Sequence, residues 1–302
     1  MHEDKTLVII TGPTASGKSG LAVELASHLG CDIISADSRQ IYRGIPIGTA
    51  APDREQLSKV RHHFVGVLDL DQYYSAALFE QQVMELLPRL WTNNDYAVMC
   101  GGSMMYIDAV THGIDELPTI SRQIRSSVKS LYEQNGIEAI KAELEKLDPI
   151  YLESADPSNH KRLIHALEIT IEAGAPCSEL LTGKSKTRPF RIVKMAIDYP
   201  RDELFRRINS RVDRMIADGL EAEAASVYHL RHLNSLNTVG YKELFAMMKG
   251  TMPREVAIPR IAKNTRVYAK KQMLWLRKDP GVILLNPAEE LLPQALAAIA
   301  VH

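Results

Sequence analysis

Gly12-Pro13-Thr14-Ala15-Ser16-Gly17-Lys18-Ser19 follows directly on the apolar run Leu7-Val8-Ile9-Ile10. It precedes a helical pattern, Leu21/Ala22/Leu25/Ala26/Leu29, that stops at Gly30. The octet fits G-x-x-x-x-G-K-[ST] at each fixed position, in the strand–loop–helix setting that this spacing needs. In such a loop the backbone N–H groups converge on phosphate oxygens, and the positive end of the following helix adds to the field. Lys18 would supply a point charge and the Ser19 hydroxyl a ligand for Mg²⁺. The chemistry on offer is polyphosphate binding by Gly12, Pro13, Thr14, Ala15, Ser16, Gly17, Lys18 and Ser19. Asp37 is the next candidate, because it ends a second short apolar run, residues 31–36. A carboxylate beside a phosphate loop can act as general base toward a second substrate. An Asp after a strand can equally cap a turn, and position alone leaves the two readings level.

The elements that must hold these residues alternate. Short apolar runs at 7–10, 31–36 and 96–100 are separated by helical patterns, the later one over roughly 76–91, which implies parallel strands with crossovers. Ligands in such sheets sit beyond the carboxyl ends of the strands. That expectation puts residues 12–19, Asp37-Ser38 and Gly101-Gly102-Ser103 on one rim. From about Ile120 to Thr182 the pattern is helical without strands: 122–132, 137–147 and 160–173, punctuated by Asn135-Gly136, Asp148-Pro149 and Gly174. Strand character returns at 192–197 and 282–285, with a long helix from Arg201 to about Asp218 and a small one at the end. The expected fold is α/β, a P-loop NTPase-like parallel sheet flanked by helices. An all-helical insertion is expected over 119–185, within a core made of 1–118 and 186–302.

The chain has 302 residues and a net charge of −1, with ordinary apolar and charged fractions, so it can bury a sizeable core. No apolar stretch is long enough to span a bilayer, and the first strand follows Met1-His2-Glu3-Asp4-Lys5 at once, so neither a membrane role nor a signal peptide is expected. Cys31, Cys100 and Cys177 lack any C-x-x-C spacing, which suits buried thiols in a reducing cytoplasm. A monomer is the expected assembly. The near-neutral total hides a basic run: Arg254, Arg260, Lys263, Arg266, Lys270, Lys271, Arg277 and Lys278 against Glu255 alone. On a helical wheel Lys263, Arg266, Lys270 and Arg277 share one side and Ile261, Tyr268 and Trp275 another. An apolar stripe turned inward would leave a basic stripe for RNA phosphates. An ordinary solvated face is the alternative. His62-His63 and His229/His232 lack a third ligand nearby and are read as packing or surface residues.

Residues 37–50, Asp-Ser-Arg-Gln-Ile-Tyr-Arg-Gly-Ile-Pro-Ile-Gly-Thr-Ala, together with 12–19, resemble one family closely. They are similar to the tRNA dimethylallyltransferases, also called tRNA isopentenyltransferases. Further family-like stretches follow in order: His62-His63, residues 74–76, 101–103 and 206–215, Gly219-Leu220, residues 239–244 and 264–272. The phosphate loop is shared by many NTPases; the ordered set is specific. The resemblance covers nearly the whole chain. It implies transfer of a dimethylallyl group from dimethylallyl diphosphate to N6 of the adenosine 3′ of the anticodon, with Mg²⁺ and the anticodon stem-loop of tRNA as cofactor and partner.

The resemblance also implies residue roles. Asp37 becomes the base that takes the N6 proton, and Arg211, Lys18 and Ser19 serve the diphosphate, Ser19 standing where Thr is common. Read without the resemblance, Arg211 is a helix arginine pairing with Asp213 or Glu221. Asp37, Ser38, Arg39 and Gln40 match the stretch that meets tRNA, Lys161, Arg162, Leu163, Ile164 and His165 match a second one, and Ser103 and Arg125 match single tRNA-contact positions. Arg266 and Lys270 on the basic helix complete the expected RNA contacts. Ser103 replaces a usual Thr, Met104 a usual Gly and His165 a usual Arg; the last should weaken a phosphate contact near neutral pH. Two other classes compete. A small-molecule kinase would share the loop and the Asp, and residues 65–69 resemble a Walker B strand. A non-catalytic nucleotide-dependent RNA switch would need nothing from Asp37 or Arg211.

Overall fold

The computed structural model describes residues 4–301. The first apolar run becomes strand β1 (Thr6–Thr11), buried along its whole length, as continuous Leu, Val and Ile require in a parallel sheet covered on both faces. β2 (Ile33–Ser35), β3 (His62–His63), β4 (Tyr96–Gly101), β5 (Arg191–Ile197) and β6 (Val282–Leu285) join it. All pairings are parallel, in the order β3-β2-β4-β1-β5-β6. One face of the sheet, with Val8, Ile10, Val98, Val193 and Met195, closes on Leu21, Leu25 and Ala26 of the Lys18–Leu29 helix. Ala295 and Ile299 of the Leu291–Val301 helix complete that layer. Each such apolar side chain contributes about 1.5–3 kcal/mol on burial, so the layer that carries the phosphate loop is firmly anchored.

Local signals set the element ends. Gly30 closes the first helix at φ 64°, its N–H donating to the Ala26 carbonyl, a left-handed cap that glycine adopts without strain. Ser75 Oγ accepts the Leu78 N–H and starts the Ala76–Leu90 helix, which leads into β4. The Walker B-like run at 65–69, which the kinase alternative would use, does not form a strand. Only an isolated bridge between Tyr42 and Leu68 occurs there, because Phe64 (φ 63°) and Gly66 (φ 59°) turn the chain out of extended geometry.

By contact the chain divides into two compact units: His112–Lys186, and the residues up to Thr111 together with those from Thr187 onward. The second of these contains the whole sheet. His112–Lys186 is helical, with Arg122–Leu147, Pro149–Ser154, His160–Ala173 and Cys177–Leu180. The longest of these helices breaks at Gly136, whose φ of 74° leaves the helical region. Its core gathers Val128, Ile140, Leu144, Leu163 and Leu167. Buried Asp148 accepts the Tyr151 N–H and both the N–H and O–H of Ser178, stitching the unit's short helices together. The three cysteines are free and buried. Among the described residues no helix is long and apolar enough to cross a membrane.

Candidate active site

β1 delivers the chain into the phosphate loop through Gly12 (φ 139°), Ala15 (φ 65°) and Gly17 (φ 86°). These positive-φ positions curl the loop back on itself, with the Ser16 N–H donating to the Pro13 carbonyl. Gly17 caps the Lys18–Leu29 helix with no side-chain acceptor, which leaves the first helical N–H groups for an anion. Ser16 Oγ is buried with no hydrogen-bond partner among the described residues, as expected of a group whose partner is a ligand. Lys18 Nζ meanwhile donates to the loop's own Pro13 carbonyl at 3.2 Å. Ala15 lacks glycine's freedom, and the left-handed region costs an L-residue about 1–2 kcal/mol. Arg207 Nε holds it there by donating to the Ala15 carbonyl at 2.9 Å, with its guanidinium stacked over Tyr199 at 4.5 Å.

β2, β4 and β1 are neighbours in the sheet, so the three segments that follow them share one rim. Between them opens a cavity of about 370 Å³ lined by Thr14, Lys18, Ser19, Asp37, Ser103 and Arg211, among others. Asp37 Oδ1 accepts the N–H groups of Arg39 (2.8 Å) and Gln40 (3.3 Å). The carboxylate therefore caps its own turn and is oriented by it, which leaves Oδ2 for a second partner. The turn-cap reading of Asp37 is thus realised, and the capping leaves one carboxylate oxygen uncommitted. Ser38 N–H donates to Ser103 Oγ at 2.8 Å, joining the rim segments after β2 and β4. Arg39 Nη1 donates to the carbonyls of Asn234 and Ser235. Gln40 accepts from Ser35 Oγ and donates to the carbonyls of Thr49 and Ala50, so both side chains also brace the rim from below.

The cations Lys18 and Arg211 and the Asp37 carboxylate line the cavity. Burial lowers the pKa of Lys18, and Arg211 lowers it further, while Cys100 and Asp37 oppose the shift. Burial likewise lowers that of Arg211, with Asp37 opposing. The pairing of Arg211 with Glu221 is not formed; Glu221 binds Arg254 at 2.7 Å. For a lysine with a depressed pKa the desolvation cost is felt while the group is charged, below that pKa, and fades as pH rises through it. A bound dianion favours the charged form, so binding should take up a proton at alkaline pH. Pyrophosphate affinity is expected to begin falling with rising pH below the ordinary lysine pKa of about 10.4. Calorimetry in buffers of different ionisation enthalpy checks this, and Lys18→Met should abolish the proton uptake.

The residues expected to meet RNA divide. Arg125, Lys161, Arg162 and His165 are exposed on the helical unit, His165 Nδ1 lying 3.2 Å from Glu168. Leu163 is fully buried in that unit's core, so its side chain cannot meet RNA; the periodicity that exposes its neighbours turns it inward. Ile164 is half-buried against the same core. On the Arg254–Leu276 helix Lys263 and Lys270 are exposed, with Lys270 over the Phe205 ring at 5.6 Å. Arg266 is partly buried and donates to Asn209 Oδ1. The inward stripe expected of this helix needs one correction. Ile261 is buried, but Tyr268 is 40% exposed and lines the cavity. At that level the helix passes over the site and not over the core. Trp275 is half-buried and donates to Asp108.

Three features fall in or beside family-like stretches, but their residue types and spacing assigned them no part in the site. Arg207 sits one helical turn before Arg211 and reads as another solvated helix charge. Buried Gln272 accepts the Thr14 N–H at 3.1 Å and donates to the Gly102 carbonyl at 2.9 Å. Thr238, Val239 and Gly240 line the cavity, and Gly240 (φ 98°) is held by its N–H to buried Glu243, which also accepts from Asn264.

A glycine-rich loop at the end of a central parallel strand, facing a carboxylate and an arginine across one cavity, defines an α/β enzyme of the phosphate-loop class. Comparison with known proteins narrows this. The family model of IPP transferases matches residues 40–279. A tRNA dimethylallyltransferase of Parabacteroides distasonis is 49% identical over 284 residues, 94% of this chain and 95% of its own length. One from Porphyromonas gingivalis is 48% identical over 285 residues, with 94% and 95% covered. Among solved structures, the full-length tRNA isopentenylpyrophosphate transferase of Bacillus halodurans superposes with a TM-score of 0.72 at 31% identity, covering 98% of this chain and 95% of that one. A eukaryotic dimethylallyltransferase solved acting on tRNA agrees in fold, with a TM-score of 0.83 at 24% identity over 98% of this chain and 79% of its own. The chain belongs to the tRNA dimethylallyltransferase (IPP transferase) family and is a prenyltransferase. The kinase alternative falls with that assignment.

Proposed function

We propose that this protein transfers a dimethylallyl group from dimethylallyl diphosphate to N6 of the adenosine 3′ of the anticodon in tRNA, releasing diphosphate. The observation that carries this reading is the presence of Lys18, Ser19, Asp37 and Arg211 in the lining of a single cavity. The phosphate loop binds the diphosphate of the donor. As the allylic C–O bond breaks, negative charge grows on the leaving oxygen, where Lys18, Arg211 and the loop N–H groups stabilise it. The N6 lone pair forms the new C–N bond. An exocyclic amine delocalised into its ring is a weak nucleophile, and Asp37 Oδ2 strengthens it by accepting the N6 proton. Because the base is stacked in the anticodon loop, it must be extruded to reach Asp37.

The residues present fit Mg²⁺. Such an ion keeps several waters and takes most of its protein-side anchoring from one or two oxygen ligands plus substrate phosphates. Ser19 offers its hydroxyl at the cavity, and among the described residues no cluster of three or more His, Cys, Asp or Glu side chains stands ready to hold a metal. Burial pushes the neighbouring Cys100 thiol up to about 11, so it stays protonated and does not offer a soft thiolate. Bound there with the diphosphate, Mg²⁺ would neutralise charge on the leaving group. The three buried thiols suit a cytoplasmic protein, and it is taken to act as a monomer.

The test is direct. Purified protein with Mg²⁺, dimethylallyl diphosphate and unmodified tRNA reading codons that begin with U should yield prenylated adenosine by mass. No mass gain on any tRNA with an A-A-A run beside the anticodon would remove the reading. Lys270→Ala should raise the tRNA KM and lower the slope of log affinity against log salt by about 1, as loss of one phosphate contact does. An unchanged slope makes that helix face structural.

A further inference from the structure

Thr14 lies in the phosphate loop, Gly102 in the turn after β4, and Gln272 on the Arg254–Leu276 helix. The Gln272 carboxamide joins all three. Its oxygen accepts the Thr14 N–H and its nitrogen donates to the Gly102 carbonyl, and this pair of partners defines which end of the amide is which. The side chain is only 3% exposed. A Cβ on Gly102 would come within 2.3 Å of Gln272 Nε2, so a side chain there would push the amide out of this arrangement. The same helix carries the exposed cations Lys263 and Lys270 on its solvent side. Gln272 is thus on the buried side of a helix whose outer face carries cations suited to an RNA backbone, and it holds an N–H of the phosphate loop.

We propose that Gln272 is a positioning residue that couples occupancy of the basic helix by RNA to the geometry of the phosphate loop, so that RNA and diphosphate bind with positive linkage. The inference rests on the functional reading above. An amide held at both ends and buried has a single arrangement, so any ordering of the helix is passed to the Thr14 N–H, and ordering of the loop is passed back. Linkage is reciprocal. RNA must tighten pyrophosphate binding by the same factor by which pyrophosphate tightens RNA binding. Arg207 secures the loop at Ala15 independently, so loss of Gln272 leaves the loop attached and removes only the connection to the helix.

The experiment is calorimetric, on the full chain, with inorganic pyrophosphate and Mg²⁺ titrated in the presence and absence of a synthetic anticodon stem-loop RNA bearing an A-A-A run. The expected linkage for the unaltered protein is about fivefold or more, within the usual range of coupling between sites. In Gln272→Met, which keeps the length and removes both hydrogen bonds, the factor should fall to about 1 while RNA affinity alone changes less than twofold. A second measurement needs no variant: hydrogen exchange at the Thr14 amide should slow when RNA is added without pyrophosphate. A Gln272→Met protein that retains the linkage, or a Thr14 amide indifferent to RNA, overturns the proposal. If the protein shows the linkage but transfers no prenyl group, the functional reading fails and the coupling stands. If it prenylates tRNA without linkage, the coupling alone fails.

Discussion

Asp37→Asn is expected to lower kcat by about 10²–10⁴, the range that a positioned general base contributes, with the fold intact. Asparagine keeps the oxygen that accepts the N–H groups of Arg39 and Gln40, so the turn survives the change. What is lost is the second oxygen's basicity. The effect on diphosphate separates this from a general electrostatic role. Asp37 is a negative group acting on both Lys18 and Arg211, so neutralising it should leave pyrophosphate affinity unchanged or raise it. A fall in kcat with no loss of pyrophosphate binding marks an interaction made mainly in the transition state. Single-turnover kinetics on tRNA, with pyrophosphate calorimetry alongside, reads both quantities. Near-normal turnover would take Asp37 out of the base role.

Gly101→Ala is expected to be the most damaging single methyl addition to the rim. A Cβ at Gly101 would lie 2.1 Å from the Ala36 carbonyl oxygen and 2.3 Å from its carbon. Backbone cannot swing aside as a side-chain tip can, so β2 and β4 must part where Ala36 N–H bonds to the Cys100 carbonyl and Ser103 N–H to the Ala36 carbonyl. Overpacking of this kind costs about 1–3 kcal/mol and more when backbone must move; a loss of about 3 kcal/mol is expected here. Because Ala36 immediately precedes Asp37, activity should fall further than stability alone explains. Gly20→Ala is the contrast. Nothing lies within 4 Å of its added methyl, and in the Lys18–Leu29 helix alanine should stabilise by about 0.8–1 kcal/mol. Denaturant unfolding of the two variants reads the difference, and a Gly101→Ala protein as stable as the parent would show that the rim yields.

Much of the site was legible because its parts are local. Gly12, Gly17, Lys18 and Ser19 act through backbone turns and a helix start within a few residues of each other, and Gly30 and Ser75 mark their helix ends by the same short-range chemistry. Asp37 was legible as a candidate, yet its sequence position could not choose between turn cap and base. The geometry shows one carboxylate oxygen capping the turn and the other left over for the proposed base role. Periodicity misled where burial depends on what lies opposite. Leu163 sits among exposed cations in the sequence and in the core of its unit in space. Tyr268 shares a helical face with Ile261 but meets a cavity where Ile261 meets packed side chains.

Other features lie in stretches that carry the family resemblance, yet nothing local signals what their side chains touch. Thr14 and Gln272 are separated by 258 residues, and Arg207 differs from its neighbouring helix arginines only in what its guanidinium touches. By itself, then, the sequence determined the phosphate loop, the alternation of strands and helices, the helical break at Gly136 and the family. Each of these is written in contiguous residues through backbone preference, capping and apolar spacing. The tertiary structure alone decided that β4 lies between β2 and β1, that Arg211 faces Asp37 across one cavity, and that Gln272 ties the loop to the basic helix. Those are contacts between distant segments, and they exist only once burial of the sheet's apolar face has chosen the order in which its strands lie side by side.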